Sequence, residues 1–273
     1  MKHRLFLLVA LTTSILACNL ASPAPPTATV EPGTAVATST VDTRGVVTLN
    51  NVSFTLPIGV ANDALTEMVA AVSDPNAAPS WEIAPAHLQF KLTGYQLQGT
   101  FLEPQILVYP AEEYAQSNST AAEQIQRIKS LLAGAPLAND AMPIVPTFNA
   151  GPIFAAHMQL LDFQSGRGVR MITQYDQYLA PVNNHELFYH FQGLTNDNQY
   201  YIIAVLPVSS SILAEDEKPE STVPAGGVAI PPNGPDAAYY DAVTKALDAM
   251  YPDSFNPSLF QLDTLIKSIT IRP

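Results

Sequence analysis

The segment from His185 to His190 carries the residue types of a zinc-dependent hydrolase. It reads His185-Glu186-Leu187-Phe188-Tyr189-His190, whereas a helix of the His-Glu-x-x-His type needs its histidines four positions apart so that both face the metal. Here the spacing is five, and on the β-strand that we predict for this segment the two imidazoles point to opposite sides. The spacing therefore indicates solvated or hydrogen-bonded strand histidines, and we predict no metal site.

Sequence signatures of nucleophilic catalysis and of nucleotide binding do not occur. The run Gln164-Ser165-Gly166-Arg167-Gly168 lacks the first glycine of a Gly-x-Ser-x-Gly elbow and reads as a turn. The sequence contains neither Gly-x-Gly-x-x-Gly nor a P-loop. We therefore predict no catalytic residue and no cofactor. A serine, a histidine and an acid gathered from distant segments stay open as an alternative, which makes a cell-envelope hydrolase the second hypothesis.

Two acidic runs are candidates for paired carboxylates or calcium ligands. They are Glu112-Glu113 and Glu215-Asp216-Glu217. Neither has the alternating Asp/Asn and glycine spacing of a calcium-binding loop. Adjacent acids of this kind are typical of a solvated surface, which is the interpretation that we prefer.

The region from Tyr175 to Tyr201 is rich in aromatic residues, and polar residues lie on the strands that we predict in and just before it. On the predicted strands, Arg170 and Gln174 share one side, and His190 and Gln192 share one side of the next strand. If the register aligns those sides, the four residues form a polar strip, backed by aromatic rings, that binds a neutral or anionic small molecule such as a glycan. The alternative, which we favour, is a wet polar strip behind aromatic residues that pack in the core. Seven of the twenty-two Tyr and Phe residues lie here: Tyr175, Tyr178, Phe188, Tyr189, Phe191, Tyr200 and Tyr201.

Cys18 is the one cysteine of the chain and follows an export signal. Lys2 and Arg4 precede thirteen largely apolar residues, which as a helix extend about 20 Å, short of the roughly 30 Å hydrocarbon core. The run Ile15-Leu16-Ala17-Cys18 resembles the lipobox of bacterial lipoproteins. This resemblance implies that Cys18 is joined to diacylglycerol and becomes the first residue of the mature protein, which lies lipid-anchored on the outer side of a cell membrane. Cleavage by an ordinary signal peptidase is the alternative.

Composition excludes other classes of protein. Twelve basic and twenty-four acidic side chains give a net charge of -12, which argues against nucleic acid as a partner because such binding depends on phosphate neutralisation. One cysteine excludes a disulfide framework and a multi-cysteine zinc site. Few charged residues and 24 prolines suit an exported protein.

The chain divides into three parts. Residues 1–17 are the predicted signal peptide. Residues 18–45 comprise the lipidated cysteine and a Pro/Thr/Ala-rich tether that is predicted to be disordered because it has too few large apolar residues to form a core. Residues 46–273 form one predicted extracytoplasmic domain.

Periodicity and turn residues predict the elements of that domain. Apolar alternation predicts a hairpin around Asn50-Asn51 and strands near residues 87–92 and 105–109. Thr120 and Glu123 are spaced as a capping box for a helix that ends near Gly134. Four strands follow at about 154–163, 169–178, 185–194 and 199–206, then a polar loop at 209–234, two helices led by Tyr240 and by Asn256-Pro257, and a strand at 269–271. The predicted fold class is α+β, a mainly antiparallel central sheet flanked by helices.

Three segments resemble a known domain type. The runs Val52–Gly59, Leu194–Pro207 and Leu262–Ile271 are similar to the opening strand, a central hairpin strand and the closing helix-strand of PsbP-like extracytoplasmic domains. The whole domain also resembles a group of uncharacterised exported bacterial proteins. The resemblance implies a helix-flanked antiparallel sheet and a binding or assembly role without catalysis, with an envelope protein or a glycan as possible partner. Fold alone does not establish function.

Overall fold

The computed structural model describes residues 38–39, 42 and 45–272. The predicted signal peptide, Cys18 and most of the predicted tether lie outside these residues. The strands of the described part are β1 (Thr38–Ser39), β2 (Val46–Leu49), β3 (Val52–Thr55), β4 (Asp63–Val69), β5 (His87–Thr93), β6 (Gln105–Pro110), β7 (Gly151–Pro152), β8 (Ala156–Phe163), β9 (Gly166–Thr173), β10 (Tyr175–Asp176), β11 (Phe188–Thr195), β12 (Tyr200–Pro207), β13 (Ser209–Ser210), β14 (Phe255–Asn256) and β15 (Thr270–Ile271). Its helices are α1 (Ala111–Ser117), α2 (Ser119–Leu132), α3 (Ala237–Asp248) and α4 (Leu259–Lys267), with 3-10 turns at Asn139–Ala141 and Pro252–Ser254.

The centre of the fold is an antiparallel sheet in the order β1-β4-β5-β6-β12-β11-β9-β8, counting the strands of the described residues. Short turns join β8 to β9 and β11 to β12, so these consecutive strands are antiparallel neighbours. Every residue of β11 is buried. A strand that is buried on both sides needs a cover on each face of the sheet.

Helices supply that cover on both faces. On one face, Ile125 and Ile128 of α2 and Tyr114 of α1 pack with Tyr201 of β12. On the other face, α3 and α4 pack through apolar residues against a set from the sheet. That set is Leu247, Leu262 and Ile266 with Phe191, Ile202 and Ala204. The α+β class and the helix-flanked antiparallel sheet are thus confirmed.

A smaller sheet of β2, β3 and β15 packs on the α4 side. The predicted hairpin is present, and Asn50 adopts a φ of 52° at its turn, a left-handed conformation that asparagine tolerates better than most residues. The predicted final strand pairs with β3, with Thr270 opposite Ser53. The first and last segments of the domain therefore meet in one sheet.

The described structure corrects several local predictions. The N-cap of α2 is Asn118, whose side chain accepts a hydrogen bond from Ala121 N at 3.0 Å, so the predicted Thr120–Glu123 capping box is wrong. Glu123 instead forms an ion pair with Arg127 at 2.8 Å, one helical turn away. Strand β4 and helix α1 were not predicted, and β11 begins three residues later than expected.

Two further observations concern the predicted tether and the length of the helices. Strand β1, which falls within the predicted tether, pairs with β4. None of the helices that the structure describes has both the length and the hydropathy needed to cross a bilayer.

Candidate functional site

The register of β9 and β11 separates the four side chains of the predicted polar strip. Arg170 is paired with Phe191, and His190 is paired with Met171. Because directly paired residues point to the same face of a sheet, Arg170 lies on one face and His190 on the other. Gln174 follows the end of β9. The four residues occupy three separate environments, and the alignment that a single strip requires does not occur.

Arg170 belongs to a buried ionic cluster beneath α4. Its Nε lies 3.3 Å from Asp263 Oδ1, within ion-pair distance but without hydrogen-bond geometry, and its Nη1 donates to His157 O. Asp263 Oδ1 also accepts from the Tyr189 hydroxyl at 2.8 Å, and Oδ2 accepts from Gln159 Nε2 at 3.1 Å. Burial and the neighbouring Asp263 carboxylate raise the pKa of Tyr189, so the phenol keeps the proton that it donates. This cluster joins α4 to the sheet.

His190 and Gln192 lie in the interior on the α2 side of the sheet. Gln192 Nε2 donates to Ile144 O and to His190 Nε2, each at 2.7 Å, and Gln192 Oε1 accepts from the Tyr201 hydroxyl. Burial lowers the pKa of His190 to about 3, so the imidazole is neutral at pH 7 and accepts through Nε2. These side chains are buried and hydrogen-bonded, so the wet strip that we favoured does not occur either.

His185, the other histidine of the motif, lies in the turn before β11. Its Nδ1 is 2.8 Å from Gly99 O, and its ring centroid is 6.1 Å from that of Phe101. Among the described residues, no group of three His, Cys, Asp or Glu side chains has the arrangement of a metal site.

Gln174 supports a concave surface formed by the loop between β9 and β11. Its Oε1 accepts from Asn183 N at 3.0 Å. Its Nε2 donates to Asp176 Oδ2 at 2.8 Å and to Glu186 Oε2 at 2.9 Å. One neutral amide therefore holds two carboxylates next to each other. Of the predicted strip, Gln174 is the member whose side chain forms hydrogen bonds with the carboxylates of this surface.

Asn183 orients Glu186 from the other side. Asn183 Oδ1 accepts from the backbone N–H groups of His185 at 3.0 Å and of Glu186 at 3.2 Å, an Asx-type turn. Its Nδ2 donates to Glu186 Oε2 at 2.8 Å. Asn183 is fully buried, so the Glu186 carboxylate is supported from within the protein while it faces outward.

The two carboxylates line a cleft of about 490 Å³. This volume lies in the range of sites for small molecules, about 300–1,000 Å³. Four loops and β10 form its walls. The lining residues are Trp81, Phe101, Leu102, Thr147, Phe148, Asn149, Ala150, Tyr175, Asp176, Gln177, Tyr178 and Glu186.

Aromatic side chains form the floor and the rim of the cleft. Phe148 packs edge-to-face on Tyr175, with ring centroids 5.6 Å apart and planes at 89°, and the Tyr175 hydroxyl accepts from Val145 N at 3.1 Å. At the rim, Phe101 is 66% exposed and Tyr178 is 57% exposed. The floor is thus held in place, while large apolar side chains at the rim stay open to solvent. An exposed aromatic patch of this kind typically marks a binding surface.

The electrostatics of the cleft are acidic. No lysine or arginine is among the lining residues, and no described ion pair involves Asp176 or Glu186. Burial, and repulsion between these carboxylates and Glu217, raise the pKa of both Asp176 and Glu186. Glu217 accepts from the Tyr178 hydroxyl at the rim. Negative charge is therefore held in the cleft without a lysine or an arginine among the described lining residues.

Sequence reasoning missed this cleft. Its carboxylates lie ten residues apart in a loop that we had assigned partly to strands, and Trp81 comes from a segment for which we predicted no element. Two signals were available: the turn-forming pair Asn183-Asn184 just before Glu186, and the position of the one tryptophan of the chain, Trp81, in a polar and proline-containing stretch.

Comparison with known proteins gives no match: no family model, no curated protein and no solved structure is similar to this chain. The class of the protein therefore follows from its own fold and site. It is an α+β protein with an antiparallel sheet covered by helices on both faces, and it carries an aromatic, acidic cleft beside the end of β9 and the start of β11.

Proposed function

We propose that this protein is a lipid-anchored, extracytoplasmic binding module that holds a small ligand in the aromatic, acidic cleft and does not catalyse a reaction. The observation that carries this proposal is the cleft itself, in which exposed aromatic rims stand next to two supported carboxylates. A concave site with apolar walls and a few convergent polar groups is the usual form of a ligand site.

The anchoring part of the proposal rests on the sequence. The positive and apolar leader and the lipobox-like run ending at Cys18 support lipid attachment. The stretch rich in Pro, Thr and Ala that follows would give the folded part reach from the membrane surface.

Metabolic labelling with a radiolabelled fatty acid tests the anchor. Wild-type protein is expected to carry the label and to sediment with membranes, whereas Cys18→Ser is expected to lose the label. A wild-type protein without label, or a Cys18→Ser variant that keeps it, would contradict the anchoring proposal.

A fragment screen tests the cleft. The full-length protein, solubilised in a polyoxyethylene detergent, is screened by ligand-observed NMR against a library with cationic, anionic and neutral members. Hits are expected that Tyr178→Leu weakens and that Phe260→Leu leaves unchanged. Phe260 is an exposed aromatic residue outside the cleft lining, so it controls for nonspecific aromatic contacts. A screen without hits that depend on Tyr178 would refute ligand binding in the cleft.

One observation favours a second candidate, an envelope glycoside hydrolase. Two neighbouring carboxyl groups are also the requirement of that reaction, in which one, with a raised pKa, acts as acid and the other, ionised, as base or nucleophile. Incubation with aryl glycosides decides between the two: turnover that Glu186→Gln abolishes would replace the binding proposal, whereas no turnover is expected.

A further inference from the structure

We infer that the ligand of the cleft is an organic cation that carries an alkylated ammonium group, held between aromatic faces and the Asp176 and Glu186 carboxylates. This inference rests on the proposed function and adds the chemical class of the ligand.

The first argument is the hydrogen-bonding state of the two carboxylates. Asp176 Oδ2 and Glu186 Oε2 accept from neutral amides of Gln174 and Asn183. Neither Asp176 Oδ1 nor Glu186 Oε1 accepts a hydrogen bond from any side chain of the described residues. Amides orient a carboxylate but leave its charge in place. Asp176 Oδ1 and Glu186 Oε1 are therefore open to a ligand, and the negative charge of each carboxylate is largely uncompensated.

The second argument is the chemistry of the walls, which is independent of the acids. Trp81, Phe101, Phe148 and Tyr178 supply π-faces or edges at the cleft. Aromatic rings attract a cation through their quadrupole, and fully alkylated (quaternary) ammonium groups suit them best because such groups are large, weakly hydrated and cannot donate hydrogen bonds. Acids combined with aromatic walls match both the charge and the apolar surface of this group.

The same features disfavour other ligand classes. An anion would face two carboxylates and the Glu217 side chain without a basic residue in the lining. A neutral sugar would find donors in the side chains of Thr147 and Asn149, but it would leave both carboxylate charges without a compensating charge. The cleft volume of about 490 Å³ leaves room for a molecule larger than the ammonium group alone.

The fluorescence of Trp81 provides a direct test. It is the one tryptophan of the chain and lines the cleft, so its emission reports on occupancy without a label. The full-length protein in polyoxyethylene detergent is titrated with choline, with its uncharged carbon isostere 3,3-dimethylbutan-1-ol, with N-acetylglucosamine and with glycerophosphocholine. The expected result is saturable choline binding at least about tenfold tighter than that of the isostere, since the charge contributes through both the rings and the acids.

Glycerophosphocholine identifies the source of the cation. Tighter binding of free choline is expected from the acidic cleft, because the phosphate of the zwitterion is repelled, and it points to a free organic cation. Tighter binding of glycerophosphocholine also supports a cation and points to a lipid headgroup. Either order of affinity, choline above glycerophosphocholine or the reverse, supports the cation inference only if the uncharged isostere binds more weakly than choline.

Variants separate the contribution of the carboxylates to choline binding from that of the aromatic rings. Glu186→Gln and Asp176→Asn are each expected to weaken choline binding by about tenfold, and Glu113→Gln, an exposed acid on α1, is expected to leave it unchanged. Tyr178→Phe keeps the ring and should retain affinity, whereas Tyr178→Leu should lose it. Tyr178 is exposed, so neither change threatens folding.

Two results would overturn the inference, and they have different consequences. If the isostere or N-acetylglucosamine binds as tightly as choline, the ligand is not a cation, but the cleft remains a binding site. If none of the four compounds binds, the cation inference fails, and the fragment screen then decides separately whether the cleft binds any ligand.

Discussion

Two regions of this molecule hold carboxylates near the sheet, and they are built in opposite ways. Asp263 is nearly fully buried, contacts the Arg170 guanidinium and accepts from Tyr189 and Gln159. Asp176 and Glu186 are only partly buried and rest on neutral amides. One region neutralises its charge inside the protein, and the other leaves its charge facing a cleft.

This difference indicates what each region is for. A buried charge needs a partner of opposite charge because its desolvation is costly. If one member of such a pair is removed, the other is left buried with its charge uncompensated. A charge kept at an open surface, with its pKa raised by burial and by like charges, does not stabilise the fold. Partly exposed carboxylates with raised pKa values are typical of sites that bind a ligand of opposite charge.

The largest expected effect is on the paired region. Asp263→Ala leaves the Arg170 guanidinium buried without its ion-pair partner, so the free energy of unfolding is expected to fall by about 3–5 kcal/mol. Chemical denaturation measures this loss.

Asp162 provides the matched control. It pairs with Arg167 at 2.9 Å between the neighbouring strands β8 and β9, but both side chains are exposed, so Asp162→Ala is expected to cost less than about 1 kcal/mol. Replacing both Arg170 and Asp263 by apolar residues is expected to cost less than Asp263→Ala alone. Equal losses for Asp263→Ala and Asp162→Ala would mean that burial does not distinguish the two pairs.

The next largest effect is expected at Asn118, which holds the segment that carries Trp81 in the wall of the cleft. Asn118 caps α2, and its Nδ2 donates to Ser80 O and Ile83 O, each at 2.9 Å, on either side of Trp81. Asn118→Ala removes the cap and both contacts, so we expect a loss of about 1–2 kcal/mol in stability together with a red shift of Trp81 emission. Asn118→Asp keeps the cap but loses the donors. It should restore most of the stability and leave the emission shifted, and a fully restored emission would contradict the role of the two donor contacts.

The pH dependence of choline binding sharpens the contrast further. The pKa values of Asp176 and Glu186 are raised, so protonation removes their charge at a higher pH than for ordinary acids. Choline affinity measured by Trp81 emission is therefore expected to fall by about tenfold as the pH is lowered from 7 to about 4. The neighbouring His185 offsets part of the rise in the pKa of Glu186. Tyr178, with a pKa raised to about 12 by its bond to Glu217, does not titrate in this range. Affinity that is constant over this range would contradict charge recognition.

The smallest expected effect is on the stability of the unliganded protein. A carboxyl group whose pKa is higher in the folded than in the unfolded state binds its proton more readily when folded, so its ionisation costs stability above that pKa and the cost disappears as the pH falls. Glu186→Gln is therefore expected to leave the free energy of unfolding at pH 7 unchanged or to raise it by less than about 1 kcal/mol, because the group is partly exposed. The difference from wild type should shrink toward pH 4. A marked loss of stability at pH 7 would show that Glu186 is structural, as Asp263 is.

Much of the fold was predictable from local patterns. Alternating apolar residues and Asn-rich turns identified the β2–β3 hairpin and the strands that became β8, β9, β11 and β12, because these signals act over a few residues. The predictions that failed concern single elements of the fold. α1 is only seven residues long, and α2 takes its cap from Asn118, which also bonds across to the segment at residues 80–83. Contacts across the chain decide such choices, and a single sequence does not display them.

The candidate site was much less predictable. Of the four residues predicted as a ligand strip, Gln174 supports the cleft, while Arg170, His190 and Gln192 are interior. Their polarity was visible in the sequence, but their burial depends on α4 and α2, which cover the two faces of the sheet from distant parts of the chain.

Taken alone, the chain determined its alternation of strands and helices, because side-chain periodicity and turn chemistry are short-range properties. The tertiary structure decided which side chains meet. A strand shows opposite faces on alternate residues, so the pairing of Arg170 with Phe191 rather than with His190 places its charge under α4. Folding of the loop between β9 and β11 against the segment that carries Trp81 places two acids among aromatic rings.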